Sequence, residues 1–501
     1  MAQLSETERP FPPGRYPAII IGSGPGAIQT SYFLRRYGVE HAVISSDDKP
    51  GGMFQLYPLF QRLISWTKPH APAPRGTRAY QKFDWNSLIA DEPEASSILP
   101  PLMDGSSYFP SRPEMELGIR TFVEKANIKI RFGCRWESTK KVDDGFVVGT
   151  NDGEYHAQVM IVAVGTTTPW KPSIKGIEQV PHYVETKSIE RYAGRSVFIL
   201  GKRNSGFEVA DGLLPVARQI ILASPRPARI SVMVHSTAAA RARYLQPYED
   251  HVLGGGNIVL DAATDSIERN GDGYRVHAMG TTNPGDHTFD VDEVIAATGF
   301  STPMVDLPAL GVKTFFQGRL PAQTPYFESS TIDGIYFAGS ITQGSIGLKK
   351  YGIPSNSAAV HGFRYNAGVL ARHLAETRFG VKLERPVIEP ASLVGYLVDE
   401  VTRAPELWNQ PSYLARVVYF DETSGLTDQG ILPLADFVDS SGPDGIAVAV
   451  ETDDNGNIHP AAYLRRHGDV AEHLLPSNDL LDFATSEHHA QLKAMLSEWV
   501  G

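Results

Sequence analysis

The chain has 501 residues, enough for two to four domains at about 100–200 residues each. Hydrophobic residues make up 42% and charged residues 21%, which excludes a disordered chain, a collagen and a multi-span membrane protein. A formal net charge of −11 argues against a general nucleic-acid binder, and a single cysteine, Cys134, excludes an intrachain disulfide, a CxxC redox pair and a cysteine-rich zinc site.

The N-terminal stretch is polar and proline-rich, without the apolar core of a secretory signal, and no apolar run approaches the ~20 residues of a membrane span. A cytoplasmic protein with no membrane span is expected. The first predicted strand, Tyr16–Ile21, runs into Gly22-Ser23-Gly24-Pro25-Gly26-Ala27 and then a helix over Ile28–Tyr37. This is the dinucleotide fingerprint in its proper context. Gly22 allows the tight turn, Gly24 lets the backbone approach a pyrophosphate, and Ala27 lets the helix pack on the strand. Pro25 and Gly26 of the loop are assigned to the cofactor as well, and the helix N-terminus faces the phosphates. The next strand, His41–Ser45, should end in an acid for the ribose hydroxyls; Ser45 stands there, with Asp47 and Asp48 just beyond. Gly51-Gly52 forms a turn able to pass close to a bulky ring, and Gly52, Met53 and Gln55 are assigned to the cofactor.

Trp66-Thr67-Lys68-Pro69-His70 and Asp84-Trp85-Asn86 are expected to line the reactive face of that ring. Trp66 is assigned as a cofactor contact, and Thr67, Lys68, His70 and Asn86 as catalytic candidates. Trp136 is a further cofactor candidate. Two similar apolar strands, Val159–Gly165 and Val294–Gly299, end in glycine, and Gly165 is placed at the cofactor. Between them Ser196–Leu200 runs into a second glycine loop, Gly201-Lys202-Arg203-Asn204-Ser205-Gly206. Arg203 sits where a second glycine is expected. Its guanidinium is either a phosphate ligand or a plug. The next strand, Gln219–Ala223, is followed by Arg226, which suits a 2′-phosphate and favours NADPH over NADH. Residues 254–289 read as hairpin strands.

Gly339 and Ser340 follow a further strand and precede a helix over Ser357–Glu376, with Asn356 or Ser355 as its cap. From residue 385 the pattern changes to a helix over Ser392–Glu400, irregular strands and a final helix over Glu487–Val500. The predicted fold is α/β. An FAD-binding Rossmann-like domain (1–168 and 290–384) carries an inserted NAD(P)H-binding Rossmann-like domain (169–289), and a C-terminal α+β domain (385–501) follows. There is no HExxH, GxSxG or P-loop motif, and no metal site is expected.

Two nucleotide fingerprints with linking strands that end in Gly165 and Gly299 resemble the two-dinucleotide-binding flavoproteins, in their flavin-containing monooxygenase-like branch. The segments LISWTK (63–68), DWNSL (84–88), SYFPSRPEM (107–115), NSGFEVAD (204–211) and HGFRY (361–365) are similar to the subgroup of FAD-dependent oxidoreductase domain-containing proteins. Ser45 and Arg203 depart from that branch, as does GIEQVPHYVET (176–186) before the second loop. The resemblance implies FAD and NADPH as cofactors, with O2 and a small organic molecule as substrates. It also implies N-, S- or Baeyer–Villiger oxygenation through a flavin C4a-(hydro)peroxide. Two alternatives stand beside it: an FAD oxidase or dehydrogenase with a degenerate nicotinamide site, and a non-catalytic flavoprotein scaffold. A homodimer is the default assembly.

Overall fold

The structure, a computed structural model, describes residues 9–57, 62–231, 240–245, 256–316, 318–345, 355–421 and 423–497. Its first sheet runs in the order His41–Ile44, Arg15–Ile21, Gly153–Val162, Gly145–Thr150 and Trp136–Val142, with Ile335–Phe337 also paired to Gly153–Val162. Around Arg15–Ile21 the pairing is parallel, with Ile20 opposite both Val43 and Ile161. A parallel strand is covered on both faces, so Ala18–Ile21 is one unbroken buried apolar run rather than an alternation. Helices Pro25–Arg36 and Val360–Thr377 lie against each other over this sheet and share its core.

The second sheet runs Asp286–Val291, Gly273–Gly280, Asn257–Asn270, Gln219–Ser224, Ser196–Leu200 and Glu293–Ala296. Its last four members are parallel neighbours, and the first two extend it as a hairpin. One edge of the sequence reading is corrected here. Residues from 290 onward were assigned to the outer domain, yet Glu293–Ala296 pairs with Ser196–Leu200 and belongs to the inserted sheet. The chain crosses back at Phe300–Ser301, which pairs antiparallel with Thr168–Pro169 of the outgoing crossing.

The third sheet is antiparallel, in the order Val387–Ile388, Gly425–Pro433, Leu414–Asp421, Gly445–Thr452, Ile458–Arg466 and Asp469–Leu474. Helix Pro390–Arg403 lays Leu393, Leu397 and Val401 on one face of it, alongside Leu492 of helix Ser486–Met495. The predicted last helix extended to Val500; residues 498–500 lie outside the described residues.

The C-terminal unit is tied to the first by charge and hydrogen bonds. Arg78 donates to both oxygens of Glu400 at 2.7 and 2.9 Å and also pairs with Glu406, while Arg416 bonds Glu400 at 2.7 Å. The Lys82 ammonium lies 3.2 Å over the Trp408 ring. Gln410 accepts from the Asn356 N–H and donates to Asn366. This docking explains a second correction. Neither Ser355 nor Asn356 caps the helix that begins after Ala359. A tight turn closes ahead of it, from Ala359 N–H to Asn356 carbonyl, and the Asn356 side chain is drawn to the Asn409 carbonyl instead. Among the described residues no helix is long and apolar enough to cross a membrane.

Candidate active-site cleft

Both glycine loops reach the same backbone solution. Gly22 has φ +133°, and a Cβ there would come 2.5 Å from the Ala163 carbonyl. Gly201 has φ +127°, and a Cβ there would come 2.4 Å from the Ala297 carbonyl. In each, the strand turns sharply under the end of a neighbouring strand and launches a helix. Neither helix is capped by a side chain: Gly24 precedes Pro25–Arg36 and Arg203 precedes Asn204–Leu213. Their first N–H groups are thus available to a phosphate.

A cleft of about 690 Å³ begins at the first loop. Gly22, Gly24, Pro25, Gly26, Ser45, Gly52, Met53, Gln55, Asn86, Trp136, Gly165, Asn204, Ser205, Gly339 and Ser340 all line it. The floor is closed by two backbones: a Cβ on Gly26 would come 2.3 Å from the Gly339 Cα. A groove over uncapped helical N–H groups fits the pyrophosphate of a dinucleotide.

Ser45 is accompanied by Asp47, one of the two acids that follow it in the sequence. Asp47 lines the cleft, accepts from the Ser23 hydroxyl and donates its N–H to the Ser45 hydroxyl at 3.2 Å. The carboxylate therefore stands three residues beyond the strand His41–Ile44, on the cleft wall beside Ser45. Cys134 lies on the same wall; burial pushes its thiol up, so it stays protonated near neutral pH.

The other end of the cleft is formed by Tyr57, Tyr183, Glu208 and Phe300. Glu208, on the helix of the second loop, accepts from the Tyr183 hydroxyl at 2.9 Å and the Tyr244 hydroxyl at 3.1 Å. Burial and the Glu208 charge raise both phenols, so they stay protonated donors. None of these four was singled out from sequence. The Glu208 position inside NSGFEVAD, one face of a helix leaving the second loop, was the signal available.

The predicted catalytic segment divides. Asn86 lines the cleft, but Thr67 is fully buried behind it. Thr67 donates to Asp84 at 2.9 Å and accepts from Asn86 at 3.1 Å, so it holds the wall rather than facing the cleft. Lys68 and His70 are exposed and stand outside the cleft wall. Trp66 is not at the wall either; it stacks on Trp85. Ala27 is buried in the core under the loop.

Around the second loop, Gly201 and Gly206 shape the turn, and Arg203 and Arg226 are exposed. Burial, and after it the Arg203 charge, lowers the Arg319 pKa, so the two guanidinia are electrostatic neighbours. Lys202 is buried and paired with Asp261 of Asn257–Asn270, the strand two places along the sheet from Ser196–Leu200. Among the described residues no group of three or more His, Cys, Asp or Glu side chains could hold a metal.

Comparison with known proteins gives the same frame. A family model described as pyridine nucleotide-disulphide oxidoreductase matches residues 19–339. FAD-dependent oxidoreductase domain-containing protein 2 of Danio rerio is 25% identical, over 80% of this chain, which spans 64% of that relative's length. Among solved structures, the bacillithiol disulfide reductase Bdr (YpdA) of Bacillus cereus superposes with a TM-score of 0.56 at 20% identity, over 72% of this chain and 99% of that one. A flavin-containing monooxygenase from Stenotrophomonas maltophilia gives 0.53 at 19%, over 72% and 98%.

Proposed function

We propose, for a chain that belongs to the pyridine nucleotide-disulphide oxidoreductase family, an FAD-dependent oxidoreductase that uses NADPH and O2 to oxygenate a small organic molecule. One observation carries the reading: a single cleft reaches from the first glycine loop to Asn204, Ser205 and Glu208 on the helix of the second. Two nucleotides seated at the two helix N-termini would meet inside it. When bound, FAD supplies the redox chemistry, taking a hydride from NADPH and passing electrons on. Gly24 and Gly26 with the Pro25–Arg36 helix bind the pyrophosphate, and Asp47 and Ser45 the ribose. Tyr183 and Tyr244 hold the Glu208 carboxylate at the nicotinamide end, and Asn86 presents an amide fixed by Ser65 and Thr67. Arg203, Arg319 and Arg226 supply positive charge for the phosphates of NADPH.

The one cysteine of this chain, Cys134, is buried, so no cysteine pair within the chain can relay electrons to a disulfide. This reading sends the electrons to O2 and an organic acceptor. We take the three sheets as an FAD unit, an inserted nicotinamide unit and a C-terminal unit, with the return crossing at Phe300–Ser301.

A second reading, an oxidase or dehydrogenase that takes electrons from its own substrate, is favoured by the Lys202–Asp261 pair. It commits the loop lysine to a carboxylate, so Lys202 offers no charge to a nucleotide phosphate. Anaerobic mixing with NADPH and with NADH decides between them. Flavin bleaching by NADPH, faster than by NADH, is expected. Bleaching by neither nicotinamide, even at excess, leaves the oxidase reading.

A further inference from the structure

Helix Val360–Thr377 starts at the cleft without a side-chain cap, and Ala358, Ala359 and Val360 at its start line the wall. Gly339 and Ser340 line the cleft too, with Gly339 against Gly26. Behind these two pieces of wall lies a network of buried amides and hydroxyls. Gln410, Asn366 and Ser357 are fully buried, and Thr342 is nearly so. Asn366 donates to the Thr342 and Ser357 hydroxyls, both at 2.9 Å, and Thr342 donates to the Gly339 carbonyl at 2.7 Å. The network thus joins the helix start to the Gly339 floor. The helix start is also packed from the side, where His361 stacks on Trp85 at 4.2 Å.

One member of the network comes from outside the first unit. Gln410 follows the short helix Pro405–Asn409 of the C-terminal unit. Its Oε1 accepts from the Asn356 N–H at 2.8 Å, and its Nε2 donates to Ser357 Oγ at 3.0 Å and to Asn366 Oδ1 at 2.8 Å. Both amide hydrogens and the carbonyl oxygen are thus spent on the helix start and the turn ahead of it. The charged part of the same docking surface is different: Arg78, which pairs with Glu400, sits on a loop that does not line the cleft. Without the Gln410 amide, buried groups on Asn356, Ser357 and Asn366 lose a partner, and that cost drives the turn to rearrange.

We propose that Gln410 is a positioning residue for the flavin: through it the C-terminal unit fixes the helix start and the Gly339 floor against the cofactor, and so sets the cofactor's reduction potential. Reduction by two electrons with uptake of one proton leaves FAD with one more negative charge. The positive end of a helix macrodipole and its free N–H groups favour that charge, and the effect fades within the first turn. The position of this helix start therefore decides how much the reduced form gains over the oxidised one. The inference rests on FAD seated in this cleft, and not on the NADPH and O2 chemistry proposed for it.

The test uses FAD-loaded, full-length protein, reduced anaerobically by xanthine and xanthine oxidase beside a reference dye, with no nicotinamide present. Gln410→Met keeps the side-chain length and removes its three hydrogen bonds; Ser357→Ala removes only the hydroxyl on which Gln410 and Asn366 converge. In each, the affinity for reduced FAD relative to oxidised FAD is expected to fall roughly tenfold, which places the midpoint about 30 mV below the wild type. Should Gln410→Met fail to hold FAD, Ser357→Ala alone decides. Glu400→Gln weakens the docking of the same unit and is expected to lower the melting temperature with the midpoint unmoved. A wild-type midpoint in the two network variants, or an equal shift in Glu400→Gln, overturns the proposal and leaves Gln410 a purely structural contact. No turnover is involved, so a protein that fails to consume NADPH can still pass, and one that consumes it can still fail.

Discussion

Gly24 and Gly26 belong to one fingerprint but are constrained by different things. A Cβ on Gly24 meets only ordinary contact, 3.9 Å from the Gly52 Cα, whereas one on Gly26 would strike the Gly339 backbone. Gly24→Val should therefore fold and purify colourless, since its side chain occupies only the phosphate's space. Gly26→Val should lower the melting temperature of the apoprotein itself, by an overpacking cost of about 1–3 kcal/mol or more. Absorbance at the flavin band and thermal melting of both apoproteins separate the two; equal melting would refute the distinction. The tyrosine pair on Glu208 gives another residue-scale prediction. Tyr183→Phe removes one of two phenolic donors from a carboxylate in the cleft, and flavin reduction by NADPH should slow roughly tenfold with little change in stability. An unchanged reduction rate means that the pair is only structural.

Elements are held in place by charge as well as by apolar packing. Glu400, on the helix Pro390–Arg403, is the hinge pin between the C-terminal sheet and the loop carrying Arg78. Burial raises its pKa, but Arg78 and Arg416 outweigh that, so the carboxyl is held below the ordinary range. A folded pKa below the unfolded one gives stability that is complete above the unfolded value, about 4.3, and is lost as pH falls through the folded value. The docking should thus be indifferent to pH from neutral down to about 5 and loosen only in stronger acid. Glu400→Gln removes the shared carboxylate while Arg78 keeps Glu406 and Arg416 keeps Asp428, and should cost about 1–3 kcal/mol. Urea melting at pH 7 checks the size; a Glu400→Gln curve that coincides with the wild type would show the network to be ornamental. Just before the second-loop helix, Arg203 is exposed, on an extended stretch of backbone. Arg203→Ala should accordingly raise the KM for NADPH roughly tenfold and leave kcat within about twofold. A lowered KM would mean that the side chain obstructs the site.

For the whole molecule, the C-terminal unit is part of the fold. Tyr413 and Leu414 sit in the same apolar cluster as Tyr32, Phe327 and Leu370 of the first unit. A chain ended at residue 384 would expose that cluster, unpair Arg78 and free the Asn356 turn from Gln410. Such a truncation is expected to be insoluble or to melt far below the full chain. Limited proteolysis that released the segment and left a stable, flavin-loaded remainder would contradict this.

What the sequence by itself determined was whatever depends on local spacing. Strand, glycine loop and helix are contiguous, so both dinucleotide turns, their paired linking strands and the change of texture at residue 385 were legible. The sequence also singled out Gly22, Gly24, Gly26 and Ser45, which line the cleft. Tertiary structure alone decided which side chains from distant segments share a space. Thr67 turned inward because Asp84 and Asn86, from another loop, satisfy its hydroxyl in a buried site. The strand at 293–296 joined the inserted sheet because its register partner, Ser196–Leu200, lies about a hundred residues earlier. Glu208 and His361 gained their surroundings from partners dozens to hundreds of residues away. No periodicity in a single segment encodes such a meeting, because it depends on how the sheets close around the cleft.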